Sequence, residues 1–352
     1  MEDLATLEQL DPMNIIVPMA GRGSRLRPHT LTVPKPLVHV AGKPIVERLV
    51  EDIVRTSHQP VENIVFVTGQ FGDEVEQDLL AVAERLGAQG HIRYQDQPLG
   101  TAHAILCGQE SLEGPVVVAF ADTLFRANFT IDPDADGVLF CQRIDDPSSF
   151  GVVVTNEQGT IVDYVEKPQE FVGDLAMIGI YAFKDGARLK RELQHLIDNN
   201  IMHGGEYQLP DALRAMTQDG LKFIPGEVSD WMDCGNKAVT VETNGRILNI
   251  LQEEGRLDPI PPSAKVQNSV IVPPCFLGEG VVVEGSVVGP DVSIGAGSVI
   301  RNAVIKSSLI GSDSTVEDVV VEGAMVGSKA GWHGQPEDAS IGDFCSIGNP
   351  RG

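Results

Sequence analysis

The stretch from Ser269 to Gly327 limits the possible folds more than any other part of the chain. Aliphatic residues return about every six positions, at Val270, Leu277, Val288, Ile294, Ile300 and Ile310. A glycine often follows directly, as in Leu277-Gly278, Val288-Gly289, Ile294-Gly295 and Ile310-Gly311. Such a period fits short strands that each bury one aliphatic side chain and turn a tight corner beside a small residue. Stacked coils then bury a continuous core that one coil alone could not. The pattern predicts a left-handed parallel β-helix over residues 265–352; a sandwich of Val-rich antiparallel strands is the competing arrangement. The period is imperfect around Ser307 and over Gly331–Ala339, then resumes at Ile341-Gly342 and Ile347-Gly348. His333 lies in the irregular part and reads as a loop residue rather than a base.

Residues 254–264 (EGRLDPIPPSA) are rich in Pro and Gly and read as a linker. The 253 residues before them alternate between two periodicities. Strands are expected at Asn14–Met19, Asn63–Thr68, His91–Gln95 and Val116–Phe120. Helices are expected at Pro44–Thr56, Asp73–Leu86 and from Thr101. Further strands follow at Gly137–Gln142, Gly151–Thr155, Ile161–Val165 and Ile178–Phe183, with a helix at Lys237–Leu251. This order predicts an α/β domain, a Rossmann-like and mostly parallel mixed sheet with helices on both faces. The chain thus reads as a domain of residues 1–253, the linker, and the repeat domain.

Composition narrows the partners. With 26 Lys and Arg against 50 Asp and Glu, the net charge is -24. Most of such a surface repels nucleic acid and anionic lipid, so neither is an expected partner. Solubility and adaptation to high salt both account for the acidity. Cys107, Cys141, Cys234, Cys275 and Cys345 are scattered, without a CxxC pair. The N-terminal MEDLATLEQLDPM has no basic region leading into an apolar one. A reducing, cytoplasmic location without a secretory signal is the expectation.

Against this acidity, one loop gathers positive charge. After the first strand come Ala20, Gly21, Gly23, Ser24 and Arg25, then Pro28, Thr30, Pro34 and Lys35. Glycines at a strand end let backbone N–H groups approach a phosphate closely. A Walker A loop is excluded because GK[ST] is missing, and a dinucleotide fingerprint because Leu26 stands where the third glycine belongs. Asp122 directly follows an apolar strand, a natural position for a metal-binding carboxylate.

The run PMAGRGSRLRPHTLTVPKP resembles the signature GGxGxRLxPxTxxxPK of the sugar-phosphate nucleotidylyltransferases. It departs at Ala20-Gly21, where a Gly-Gly pair is usual, and at Arg22. Later segments are similar too: YQDQPLGTAHA to the nucleobase-reading loop, Phe150-Gly151-Val152 to (Y/F)GV, Glu166-Lys167-Pro168 to EKP, and Trp231-Met232-Asp233-Cys234-Gly235 to WxDxG. Gly205 to Asp211 is similar to the family's GExxxxD stretch.

The resemblance implies a nucleotide-diphospho-sugar transferase fold and formation of a sugar nucleotide and pyrophosphate from a nucleoside triphosphate and a sugar 1-phosphate. It implies nucleotide contacts from Ala20, Gly21, Gly23, Ser24, Gln95, Gly100 and Thr101. It implies sugar-phosphate contacts from Gly151, Glu166, Lys167 and Gly179, and Mg2+ held by Asp122 and Asp233. Arg25, Lys35 and Lys167 would carry catalysis. Gln95 leans the base preference toward dTTP or UTP, since an amide can both donate to and accept from such a base; glucose 1-phosphate is the favoured sugar. A homo-oligomer is expected. Two alternatives remain open: a second, acyl-transferring activity in the β-helix, and a non-catalytic sensor of sugar nucleotides.

Overall fold

The computed structural model describes residues 11–21, 23–57, 59–127 and 134–335. Arg22, Cys345 and the resumed repeats at Ile341 and Ile347 lie outside them. The chain divides into two compact units at Thr243/Asn244, within the helix Lys237–Glu253.

The first unit opens with β1 (Met13–Pro18), buried at every position. A short hairpin, β2 (His39–Val40) and β3 (Lys43–Pro44), leads into α1 (Ile45–Ser57). Its Ile45, Leu49 and Ile53 recur at helical spacing and are fully buried. Then follow β4 (Val61–Thr68), α2 (Asp73–Arg85), β5 (Gln89–Tyr94), α3 (Thr101–Leu106) and β6 (Val116–Ala119). The order β6-β1-β4-β5 is all parallel, as the βαβα alternation requires.

The rest of the sheet changes character. β7 (Thr123–Arg126), β8 (Gly137–Arg143), β9 (Gly151–Thr155), β10 (Ile161–Glu166) and β11 (Leu175–Phe183) follow with no helix between them among the described residues. Without helical crossovers, neighbours pair antiparallel. β11 pairs antiparallel with β6, β8 and β9, and β9 with β10. After α4 (Gly186–Asp198) and α5 (Leu209–Gln218), β12 (Phe223–Glu227) joins β8 in parallel. β13 (Asp230–Asp233) pairs antiparallel with β7 outside the main sheet. Two helices and five strands of the described residues, α4, α5, β2, β3, β7, β12 and β13, were not among the sequence expectations. Ile16, Val65, Val116 and Val118 share one buried cluster with residues of α3, α4 and α5. Asp185 starts α4, its Oδ1 accepting from the Ala187 N–H at 2.9 Å and the Arg188 N–H at 3.1 Å. The α6 helix spans Lys237–Glu253.

The second unit is a left-handed parallel β-helix of three stacked ladders. In one, Lys265 pairs with Val282, Val282 with Val299, Val299 with Thr315 and Thr315 with Gly331. A coil therefore takes 17 residues twice, then 16 twice. Leu277, Val288, Ile294, Ile300 and Ile310 are buried, as the period of six predicts. Val270 is a correction. It is 57% exposed, and Ile271 pairs with the buried Val288 in its place. Val270 instead heads an outward column with Val287, Val304 and Val320, all exposed. His333 is a second correction: it lies in the strand Gly331–His333, pairs with Glu317, and its Nδ1 is 3.1 Å from Glu317 Oε2. The ladder thus runs on into the start of the segment that looked irregular in sequence, over Gly331–His333. Within the same unit, Ser293 Oγ donates to Asn244 Oδ1 at 2.7 Å.

No described helix is long and apolar enough to cross a membrane.

Candidate active site

The glycine loop leaves the C-terminal end of β1 and turns at Gly23, whose φ of +56° lies in the left-handed region. A Cβ there would come within 2.7 Å of Lys35 Cβ, so only glycine fits. Thr30 Oγ1 donates to the Gly23 carbonyl at 2.7 Å and closes the loop. Apart from its chain neighbours, no heavy atom of the described residues lies within 4 Å of where a Gly21 Cβ would be, which leaves room for a ligand against its backbone.

Two sequence-distant carboxylates meet beside this loop. Asp122 follows β6, and Asp233 ends β13. Thr123 pairs with Asp233 across β7 and β13, and the Cys234 N–H donates to the Asp122 carbonyl at 3.2 Å. Burial, and then repulsion from Asp122, raises the Asp233 carboxyl above its ordinary range; Lys35 and Arg25 pull it back. Lys35 is buried, with Nζ 3.3 Å from Asp122 Oδ2. Arg25, Lys35, Asp122 and Asp233 therefore share one electrostatic neighbourhood, although their motifs span more than two hundred positions.

A cleft of about 380 Å³ opens over this group. Ala20, Gly21, Gly23, Ser24, Arg25, Lys35, Gln95, Gly100, Thr101 and Asp122 all line it. Phe120, Glu206 and Gly235 line it as well. Phe120 was missed in sequence because it reads as the end of an apolar strand.

In the loop expected from sequence to read the base, the Gln95 N–H donates to Thr68 O at 2.9 Å, continuing the β4–β5 ladder. Its side-chain Nε2 donates to Gly100 O at 3.1 Å and faces His103 Nδ1 at 3.2 Å. Gly100 has φ +107°, and a Cβ there would lie 2.4 Å from Tyr207 O. Thr101 Oγ1 accepts from the Leu209 N–H at 2.9 Å, so its hydroxyl ties this loop to the start of α5.

The residues assigned to the sugar phosphate stand apart from the cleft lining. Gly151 pairs with Glu166 across β9 and β10. Lys167 has the left-handed φ of +46°, donates its N–H to Phe150 O at 3.0 Å, and holds Nζ 3.7 Å from Glu166 Oε1. Both side chains are exposed. Two contacts connect this region with the cleft. The Phe120 N–H donates to Gly179 O at 2.9 Å, and Phe150 stacks edge-on against Trp231 at 5.0 Å between ring centres. Trp231 in turn donates from Nε1 to Thr123 Oγ1 at 2.6 Å.

The chain matches the nucleotidyl transferase family over residues 14–249 and the GlmU-like C-terminal hexapeptide family over residues 258–319. It is similar to the bifunctional protein GlmU of Methanococcus maripaludis, 27% identical over 77% of this chain and 62% of that protein. It is similar to the low-salt glycan biosynthesis nucleotidyltransferase Agl11 of Haloferax volcanii, 30% identical over 65% of this chain and 64% of that one. The mannose-1-phosphate guanylyltransferase catalytic subunit beta of Xenopus tropicalis is 30% identical over 63% of this chain and 61% of its own. The chain thus spans about three-fifths of the length of these relatives. With the first match covering about two-thirds of its residues, the chain belongs to the nucleotidyl transferase family.

Proposed function

We propose that the protein is a sugar-1-phosphate nucleotidylyltransferase. It would take dTTP or UTP with glucose 1-phosphate and form the sugar nucleotide and pyrophosphate. The observation that carries this reading is that Arg25, Lys35 and Asp122 line one cleft beside a glycine loop, with Asp233, outside the cleft lining, coupled electrostatically to all three. The relatives' names support the class, since one names mannose 1-phosphate as a substrate. That same name points to a guanine nucleotide, so the base preference rests on Gln95 alone.

A sugar phosphate oxygen attacks the α-phosphorus in line, and pyrophosphate leaves. The attacking phosphate is already ionised near neutral pH, so no general base is required. Catalysis then rests on positioning and on charge neutralisation. Arg25 would offset charge growing on the pyrophosphate. Lys35 would hold the triphosphate, and Lys167 the sugar phosphate. The oxygen donors and the mutual repulsion of Asp122 and Asp233 suit Mg2+, which keeps several waters and phosphate oxygens in its shell. Bound there, Mg2+ would polarise the phosphate being attacked.

The exposed column Val270, Val287, Val304 and Val320 supports a homo-oligomer built through the β-helix. The substrates are small molecules, and the acidity argues against nucleic-acid or membrane partners and fits a cytoplasmic enzyme. An acyltransferase activity of the repeat domain is a second reading, and the name of one relative is that of a bifunctional protein. A melting-temperature shift with acyl-coenzyme A would favour that reading.

The deciding experiment is magnesium-dependent pyrophosphate release from glucose 1-phosphate against dTTP, UTP, CTP, GTP and ATP. Release with dTTP or UTP alone supports the full reading. Release with GTP keeps the class and removes the base assignment. Silence here and with mannose or N-acetylglucosamine 1-phosphate favours a non-catalytic sensor.

A further inference from the structure

The amide of Gln95 has its polarity set from inside the protein. One neighbour of its Nε2 is the Gly100 carbonyl, which can only accept. That partner fixes which end of the amide is the nitrogen. The second neighbour, His103 Nδ1 at 3.2 Å, must then also accept, so the imidazole proton sits on Nε2. Burial holds the His103 imidazole below its ordinary range, which favours the neutral ring. Both N–H bonds of the amide are therefore engaged. What remains is the carbonyl Oε1, which accepts from no described residue, on a side chain that lines the cleft.

We infer that His103 is a positioning residue for base selection: by holding the Gln95 amide nitrogen inward, it makes Gln95 present an acceptor alone, and so selects a base whose ring nitrogen carries a proton. Uracil and thymine offer such an N3–H. Cytosine in the same pose would bring a bare ring nitrogen against the Gln95 oxygen, two acceptors face to face. The inference rests on the proposed role of Gln95 in base reading and narrows it, because the amide no longer supplies a donor to the base.

The test is equilibrium binding of UTP, CTP and N3-methyl-UTP to the full chain, with no turnover needed. Wild type should prefer UTP to the other two by about tenfold or more, the cost of leaving a buried acceptor unpaired. His103→Leu leaves the Gly100 carbonyl as the single described anchor of the amide and frees its second N–H toward the base, so the preference should fall to about threefold or less. His103→Asn can return an acceptor to the position of Nδ1 and should restore the preference. Uniform weakening toward all three ligands by His103→Leu, without rescue by Asn, would mean a merely structural role and overturn the inference. If Gln95→Leu abolishes the preference while His103→Leu leaves it whole, only the role of His103 fails. If Gln95→Leu also leaves it whole, base reading by Gln95 fails, and the inference with it. Nitrogen-15 NMR of the folded wild type is independent of any variant. The Nε2–H tautomer of His103 is the expected result, and an Nδ1–H tautomer would overturn the proposal.

Discussion

Lys35 Nζ lies 3.3 Å from Asp122 Oδ2, a pair made by a buried lysine and a carboxylate that is 55% exposed. Lys35 also lowers the Asp233 carboxyl. Removing it leaves the two carboxylates repelling each other with Arg25 as the remaining cation that acts on Asp233. Lys35→Met should therefore lower the melting temperature, by the equivalent of about 1 kcal/mol after allowing for the exposure of Asp122. Mg2+ should restore part of that loss, and should stabilise the variant more than the wild type. Thermal denaturation with and without Mg2+ reads both effects; an identical Mg2+ response in the two proteins would rule out a cation between these carboxylates.

Arg25 and Lys167 should separate in kinetics. Arg25→Ala is expected to lower kcat about a hundredfold with little change in KM, because its charge is needed as pyrophosphate develops. Lys167→Ala is expected to raise KM for the sugar phosphate and leave kcat nearly unchanged. Small and equal effects from both substitutions would contradict the assignment.

Gly100 has no room for a side chain. A methyl there meets the Tyr207 backbone 2.4 Å away, and the positive φ adds strain. Gly100→Ala should destabilise the fold by about 2 kcal/mol or more. It should also weaken nucleotide binding, since the same loop carries Gln95 and Thr101. Chemical denaturation and nucleotide titration on the same sample give both numbers.

The column Val270, Val287, Val304 and Val320 predicts a surface variant with a clean readout. Val320 is 81% exposed, so Val320→Lys should leave the melting temperature of the subunit fold nearly unchanged. It should reduce self-association, observed as a later elution in size-exclusion chromatography with light scattering. An unchanged particle mass would show that this face is not the contact.

Thiol reactivity should be low. Burial pushes the Cys141 and Cys234 thiols up to about 12 and the Cys275 thiol up to about 11, and raises Cys107 as well. The thiolate is the reactive form, so these four should resist iodoacetamide at pH 8 in the native protein. Cys107, the least buried, should label first. Peptide mapping after short exposure checks the order.

The cleft was legible in sequence wherever its chemistry sits in contiguous motifs. Arg25 and Lys35 share one loop, Asp122 lies three residues past the strand that ends at Ala119, and Asp233 ends the strand that begins at Asp230. The parallel half of the sheet was equally plain, because helices between strands leave alternating periodicities. Other features depend on partners far along the chain. Val270 was placed inward because its neighbour Ile271 is equally apolar, and a shift of one residue exchanges the two faces of a strand. His103 carried no metal spacing, and its link to Gln95 depends on how β5 delivers a side chain to the first turn of α3. The strand containing His333 went unseen because its outward residues are held by a charge ladder through Arg301 and Glu317, which the search for aliphatic spacing does not detect.

The pairing of Lys265, Val282, Val299, Thr315 and Gly331 makes the β-helix a column measured in whole steps. Adjacent strands lie about 4.8 Å apart, so these five span about 19 Å. Removing one complete coil, Val299 to Ser314, would bring Val282 onto Thr315 with all three ladders still in phase. Removing fewer residues would turn the buried column outward. Length in this half of the protein is thus quantised: mutation can extend or trim it by a full coil, and amounts between are opposed by the core itself.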